Sequence, residues 1–214
     1  MRRSCGPELL DALAHDHPDA VHSRRDLRIV NAFMGNRRWF AATLPGLVLP
    51  GERVLEIGAG TGELGLALNA RAIPVDGLDL CPRPPAWPAD RAWHQADLRG
   101  FQGYGAYPVV IGNLIFHQFT DEELSALGAE LRRSARVFLA SEPRRRRLSQ
   151  TLMAALAPLL GANPVTLHDA RVSIGAGFVD EELPARLGMD DGNWDISCTL
   201  TALGASRVVA VRRP

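Results

Sequence analysis

From residue 53 to the end of the chain, short apolar runs alternate with segments of helical spacing. Residues 53–57, 74–80, 109–111 and 136–140 are brief, apolar and bounded by turn residues, as expected for strands covered on both faces. A weaker strand at 93–95 follows a proline-rich loop at 82–88. Helical spacing occupies 63–70, 121–133 and about 146–160, with Asp121, Glu122 and Glu123 crowding one first turn. Residues 194–200 and 206–211 flank Leu203-Gly204 and read as a closing antiparallel pair.

The first 46 residues have a different texture. Residues 8–46 read as helical: Leu9, Leu10 and Leu13 fit one short helix, and Leu27, Val30, Phe33 and Met34 fit a second. Gly35 breaks that pattern, and Trp39-Phe40 begin a third piece. Pro45, Gly46, Pro50 and Gly51 then mark a loop. The pattern predicts an α/β fold: a mostly parallel sheet with helices on both faces, preceded by N-terminal helices. The expected division is an N-terminal helical part at 1–50 and a sheet domain at 51–214. Residues 161–189 carry no readable motif.

Composition narrows the class of function. The chain has 214 residues, of which 46% are hydrophobic and 22% charged, ordinary values for a globular domain. Its 24 basic and 24 acidic residues cancel, so no global field draws in nucleic acid or an anionic membrane. No apolar run approaches the length of a bilayer span, and Pro158 interrupts the stretch from Met153 to Leu160. Acidic Glu8 and Asp11 after Met1-Arg2-Arg3 argue against a signal peptide. Cys5, Cys81 and Cys198 are odd in number and lack metal-ligand spacing, which points to a reducing, cytoplasmic compartment. A monomer or homodimer without metal is expected.

The candidate chemistry begins at Glu56-Ile57-Gly58-Ala59-Gly60-Thr61-Gly62, a strand, a glycine turn and a helix start. Glycine permits positive φ and close approach of a ligand to the backbone. The dinucleotide pattern would place its third glycine at Glu63, where an acid suits a pyrophosphate poorly. A zwitterionic amino-acid ligand fits better, with Glu56 receiving its ammonium group. Asp79 closes the second strand and can accept bonds from both ribose hydroxyls, with Leu80 beside it. Asp97 follows the third strand, placed for an adenine amino group with Leu98 against the ring. Asn113-Leu114 follows the fourth and would line the same cleft.

Residues 54–62 resemble motif I of class I S-adenosylmethionine-dependent methyltransferases, and Asp79, Asp97-Leu98 and Asn113-Leu114 fall where the later family motifs fall. The resemblance covers about residues 53–142, and the closing strand pair fits the family's seven-stranded sheet; it implies a Rossmann-like, seven-stranded, mostly parallel sheet with an N-terminal helical lid at 1–50 and an S-adenosylmethionine-binding methyltransferase domain at 51–214. Asn113-Leu114-Ile115-Phe116-His117-Gln118-Phe119 is similar to the Asn-Leu-x-x-His-His-Phe stretch of quinone-type and other small-molecule members. Ser141-Glu142-Pro143-Arg144-Arg145 resembles a subgroup encoded beside type III polyketide synthases. The resemblance implies S-adenosyl-L-methionine as cofactor and a small-molecule methyl acceptor, phenolic or polyketide- or quinone-like. Three positions depart from the family: Arg133-Ser134-Ala135-Arg136 stands in place of Pro-Gly-Gly, Pro108 in place of an acid, and Cys81-Pro82 in place of a small polar residue. The alternatives are an NAD(P)-dependent oxidoreductase, which Glu63 opposes, and a degenerate module that binds S-adenosylmethionine without turnover.

His117 is the candidate general base or substrate-orienting group, since histidine titrates near neutral pH. Trp39, His117 and Arg144 are the expected substrate contacts. His15-Asp16-His17 reads as a solvated helix end rather than a metal site, and His22 and His168 as surface residues. The run Arg144 to Arg147 lacks interleaved aromatics, so it reads as a solvated helix start rather than a nucleic-acid patch.

Overall fold

The computed structural model describes residues 1–14, 16–156 and 161–214. Seven strands form one sheet: β1 (Val54–Ile57), β2 (Val75–Asp79), β3 (Trp93–Gln95), β4 (Val109–Asn113), β5 (Val137–Pro143), β6 (Trp194–Leu200) and β7 (Ala205–Arg212). Their spatial order is β3-β2-β1-β4-β5-β7-β6. Strands β1 to β5 run parallel, and β7 is antiparallel to both β5 and β6. This is the α/β architecture that the hydrophobic pattern predicts and the Rossmann-like sheet that the resemblance implies. The strand order reverses between β1 and β4, so a cleft opens at their carboxyl ends.

Both faces are covered, which is why β1 is buried along its whole length. Leu55, Ile57, Leu78, Val110 and Phe138 pack beneath Leu124, Leu127 and Leu131 of α5 (Asp121–Ser134) and Leu183 of α8 (Glu182–Arg186). Val54, Val75, Val109, Ile111 and Leu139 pack beneath Phe40 of α3 (Asn36–Thr43) and Leu64 and Leu68 of α4 (Glu63–Asn69). Strands β4 and β5 run past their expected ends because Asn113 pairs with Ser141, and β7 continues alongside β5 to Pro143. The polar ends Ser141 and Glu142 are thereby buried.

The N-terminal region contains α1 (Leu9–Ala12) and α2 (Pro18–Met34) ahead of α3. Helix α2 starts with proline at its first position and ends at Gly35, whose φ of 68° makes the left-handed cap. These helices lean on α7 (Pro164–Ala176), which lies in the segment without a readable motif. Ser23 bonds Asn163 and Thr166, and the Thr166 hydroxyl bonds Asp26. The Asp169 carboxylate accepts the amides of Leu9 and Leu10 at 2.7 and 3.0 Å, satisfying two free donors of α1. Helix α6 spans Arg147–Leu156, while residues 157–160 and His15 lie outside the described residues. No described helix is long and apolar enough to cross a membrane.

Close helix packing on the α5 face depends on Gly128. A Cβ there would stand 2.2 Å from the Leu187 carbonyl oxygen. Gly128→Ala is expected to destabilise the fold by about 1–3 kcal/mol, read as a lower urea midpoint at unchanged m-value.

Candidate functional site

The chain turns sharply after β1 through three left-handed glycines, Gly58, Gly60 and Gly62, with φ of 64°, 56° and 77°. A side chain at these positions would be strained, so glycine is required by the turn itself. At Gly58 a Cβ would also meet Ile115 at 2.4 Å, whereas Gly60 faces open space. Ala59 is buried and Thr61 exposed, so the turn offers backbone rather than side chains on its outer side. Asp79, at the end of β2, grips the turn from the side. Its Oδ2 accepts the Gly60 amide at 2.7 Å and its Oδ1 accepts the Cys81 amide at 2.8 Å. A carboxylate has about four acceptor directions, so capacity remains for two hydroxyl donors.

Beneath the turn lies Glu56, only 3% exposed, and its Oε2 has no hydrogen-bond partner. Burial pushes its pKa up to about 8; the Gly65 amide opposes the rise and the Asp79 charge adds to it. An orphaned buried carboxyl beside a glycine cradle fits a ligand that brings a cationic donor. Gly65 is confined by this group: a Cβ there would stand 2.7 Å from Oε2 and 2.4 Å from the Trp87 ring. Trp87 comes from the proline-rich loop and donates its indole N–H to Ala92. It walls the near side of the turn, a role the sequence reading did not assign.

The other expected contacts are placed as follows. Leu80 is 68% exposed at the rim. Asp97 is partly exposed and accepts the Arg99 amide at 2.9 Å. Leu98 is buried in the core, and its carbonyl accepts the Tyr104 hydroxyl. Asn113 is already engaged, accepting from Asn36 at 2.8 Å and donating to Asn31 at 3.1 Å. Ser141 donates to Asn36 in turn. This network ties the α2–α3 junction to the ends of β4 and β5. Helix α2 also reaches Glu63 through Arg28 at 3.5 Å, and Met34 at its end accepts from Arg207 on β7. It therefore lies across the rim of the cleft. Trp39 packs edge-on to Phe40 with Arg207 over its ring at 5.3 Å. Arg144 makes a backbone bridge to Phe178, while its neighbour Arg145 is buried against Met1, Gly177 and Glu182.

His117 sits in the loop after β4, 4% exposed. Its Nδ1 lies 2.7 Å from Glu142 Oε2 and its Nε2 3.4 Å from Glu8 Oε1. Burial alone would lower its pKa, but the two carboxylates outweigh that and raise it to about 9. A general base at neutral pH needs a free, neutral ring nitrogen. Here both nitrogens face carboxylates, Glu142 at Nδ1 and Glu8 at Nε2, and this pairing favours the protonated ring. Sequence reasoning missed Glu8 and Glu142 as its partners. The one available signal was a charged residue continuing the apolar run Val137 to Ala140.

Both buried groups bind a proton in the folded state across a range where the unfolded chain releases it. For His117 the stabilisation is complete below its ordinary value near 6.5 and is lost as pH rises through about 9. For Glu56 the fold keeps a proton from its ordinary 4.5 up to about 8, so stability again falls as pH rises through that range. The melting temperature is therefore expected to fall between pH 6.5 and 9. Glu56→Gln and His117→Gln should each flatten part of that slope, measured by calorimetry across pH.

No family model matches the sequence, and no curated protein does. Solved structures do match in shape. The plantazolicin methyltransferase BpumL in complex with S-adenosylhomocysteine (SAH) superposes with a TM-score of 0.70 at 10% identity, covering 93% of this chain and 92% of that one. Magnesium protoporphyrin IX methyltransferase (ChlM) from Synechocystis PCC 6803, with bound SAH, gives 0.54 at 24% identity, covering 86% and 83%. A structure described as converting a disulfide bond into a thioacetal group during echinomycin biosynthesis gives 0.58 at 24% identity, covering 82% and 80%. The chain thus has the fold that these proteins share.

Proposed function

We propose that this chain transfers a methyl group from S-adenosylmethionine to a small-molecule acceptor. The observation that carries this reading is the buried Oε2 of Glu56, which has no hydrogen-bond partner, beneath a left-handed glycine turn. Shared shape with proteins crystallised with SAH or S-adenosylmethionine supports it. Glu56 would receive the ammonium group of the cofactor and Gly58 to Gly62 its amino-acid end. Asp79 with Leu80 would hold the ribose, Asp97 and Leu98 the adenine side, and Asn113 and Leu114 the floor of the cleft. When bound, S-adenosylmethionine supplies an electrophilic methyl group on a sulfonium.

The chain's own contribution is binding, orientation and exclusion of water. Residues 1–50 act as the lid: α2 and α3 close over the strand ends, and the Asn31–Asn36–Asn113–Ser141 network fixes their seat. Holding two reactants in line can supply several orders of magnitude in rate without a dedicated base. With His117 held between carboxylates, the acceptor is a group that is nucleophilic near neutral pH, an amine or an acidic phenol, and its proton leaves to water. Arg144 and Trp39 flank the acceptor side.

In the ligand-free protein Glu56 is protonated at pH 7, and an arriving ammonium favours its ionised form. SAH binding is therefore expected to release most of one proton at pH 7, seen as a buffer-dependent heat in titration calorimetry. Affinity should rise roughly tenfold per pH unit up to about 8 and then level off. Glu56→Gln should weaken binding roughly 10- to 100-fold, and Asp79→Ala by a similar amount. Unchanged affinity in both variants would overturn this site.

A further inference from the structure

The loop after β4 is held from three directions at once. Glu142, fully buried at the end of β5, accepts the amides of Ile115 and Phe116 at 2.8 and 3.0 Å through Oε1, and that of His117 at 3.1 Å through Oε2. The same Oε2 meets His117 Nδ1. From the opposite side the N-terminal segment brings Glu8 to His117 Nε2, and the Ser173 hydroxyl of α7 holds Glu8 in turn. Arg3 of that segment donates to the carbonyls of Phe116, His117 and Phe119, and its guanidinium pairs with Asp121. The loop needs such restraint. Leu114 has a φ of 58°, a left-handed conformation that costs a non-glycine residue on the order of 1–3 kcal/mol. The loop also touches the glycine turn directly, because the Ile115 side chain fills the space over Gly58.

We propose that Glu8, His117 and Glu142 form a positioning chain, carboxylate–imidazolium–carboxylate, which locks the N-terminal segment onto the loop after β4 and so holds Ile115 against Gly58. Order in residues 1–8 is thereby coupled to the shape of the glycine turn. The charged groups facing His117 are Glu142 from β5 and Glu8 and Arg3 from the N-terminal segment, with Asp121 balancing Arg3 from α5. Two carboxylates favour the doubly protonated ring, and Arg3 bonds the His117 carbonyl rather than the ring, so the cationic state persists. The three residues extend the proposed methyl transfer by fixing the wall beside which the acceptor stands, while the chain itself stands without that reading.

The test uses the ligand-free, full-length protein. Nitrogen NMR of the His117 ring should show both nitrogens protonated through pH 8, and a neutral tautomer at pH 7 would overturn the proposal. In Glu8→Gln the amides of Ile115, Phe116 and His117 should exchange about tenfold faster, since opening of the loop loses one charged restraint. The Gly60 amide should follow by several-fold, while amides of β6 at the far edge of the sheet change no more than the accompanying fall in global stability allows. Ser173→Ala, which frees Glu8 from the far side, should move the same amides in the same direction. Unchanged exchange in both variants overturns the chain, and faster loop exchange with an unchanged Gly60 overturns its link to the turn. A separate SAH titration of the wild type keeps the two readings apart: no binding there defeats the methyltransferase reading and leaves the exchange results to decide the positioning chain.

Discussion

A carboxyl group buried with one oxygen unpartnered must either keep its proton or await a cation. Glu56 is in that position, and much of the surrounding structure exists to keep it there. Strand β1 is central, so its last residues have no water on either side. The chain can leave that strand only by a turn that avoids side chains, and Asp79 pins the turn from the neighbouring strand end. Gly65 and Trp87 seal the carboxyl from the helix side. The outcome is a polar socket in an apolar sheet, beneath a turn whose Gly60 faces open space.

The rim of this socket is assembled from distant parts of the chain. Helix α2 crosses it and is anchored on β4 and β7 through Asn31 and Met34, while Asn36 at the start of α3 holds β5 through Ser141. The loop after β4 presses on the turn through Ile115 and is itself restrained by Glu142 and the N-terminal segment. Both sets of contacts are hydrogen bonds between partly or fully buried polar groups, which are costly to leave unmade. That cost selects one arrangement of the N-terminal helices and the loop over the many that hydrophobic burial alone would accept.

The strands, the glycine turn and the acids at the strand ends were legible in the sequence because they repeat with the period of the elements that carry them. Val54 to Gly62 carries its strand, turn and helix start in nine consecutive residues. The ends of β4 and β5 were less legible, since Ser141 and Glu142 are polar residues buried only through pairing with β7. Helix α7 left no trace as an organising element: what it holds are Ser23, Asp26 and the amides of Leu9 and Leu10, and such contacts have no periodicity. His117 shows the same limit from the side of chemistry. Its presence near the cleft was readable, but its protonation is set by Glu8 and Glu142, which lie far from it along the chain.

The central claim is that the socket under the glycine turn takes the amino-acid end of a sulfonium nucleoside. A crystal structure of the protein grown with SAH tests it most directly. The expected result is the ligand's ammonium group within hydrogen-bond distance of Glu56 and its ribose hydroxyls on Asp79. A ligand bound elsewhere, or one whose amino-acid end points away from Glu56, would contradict the claim.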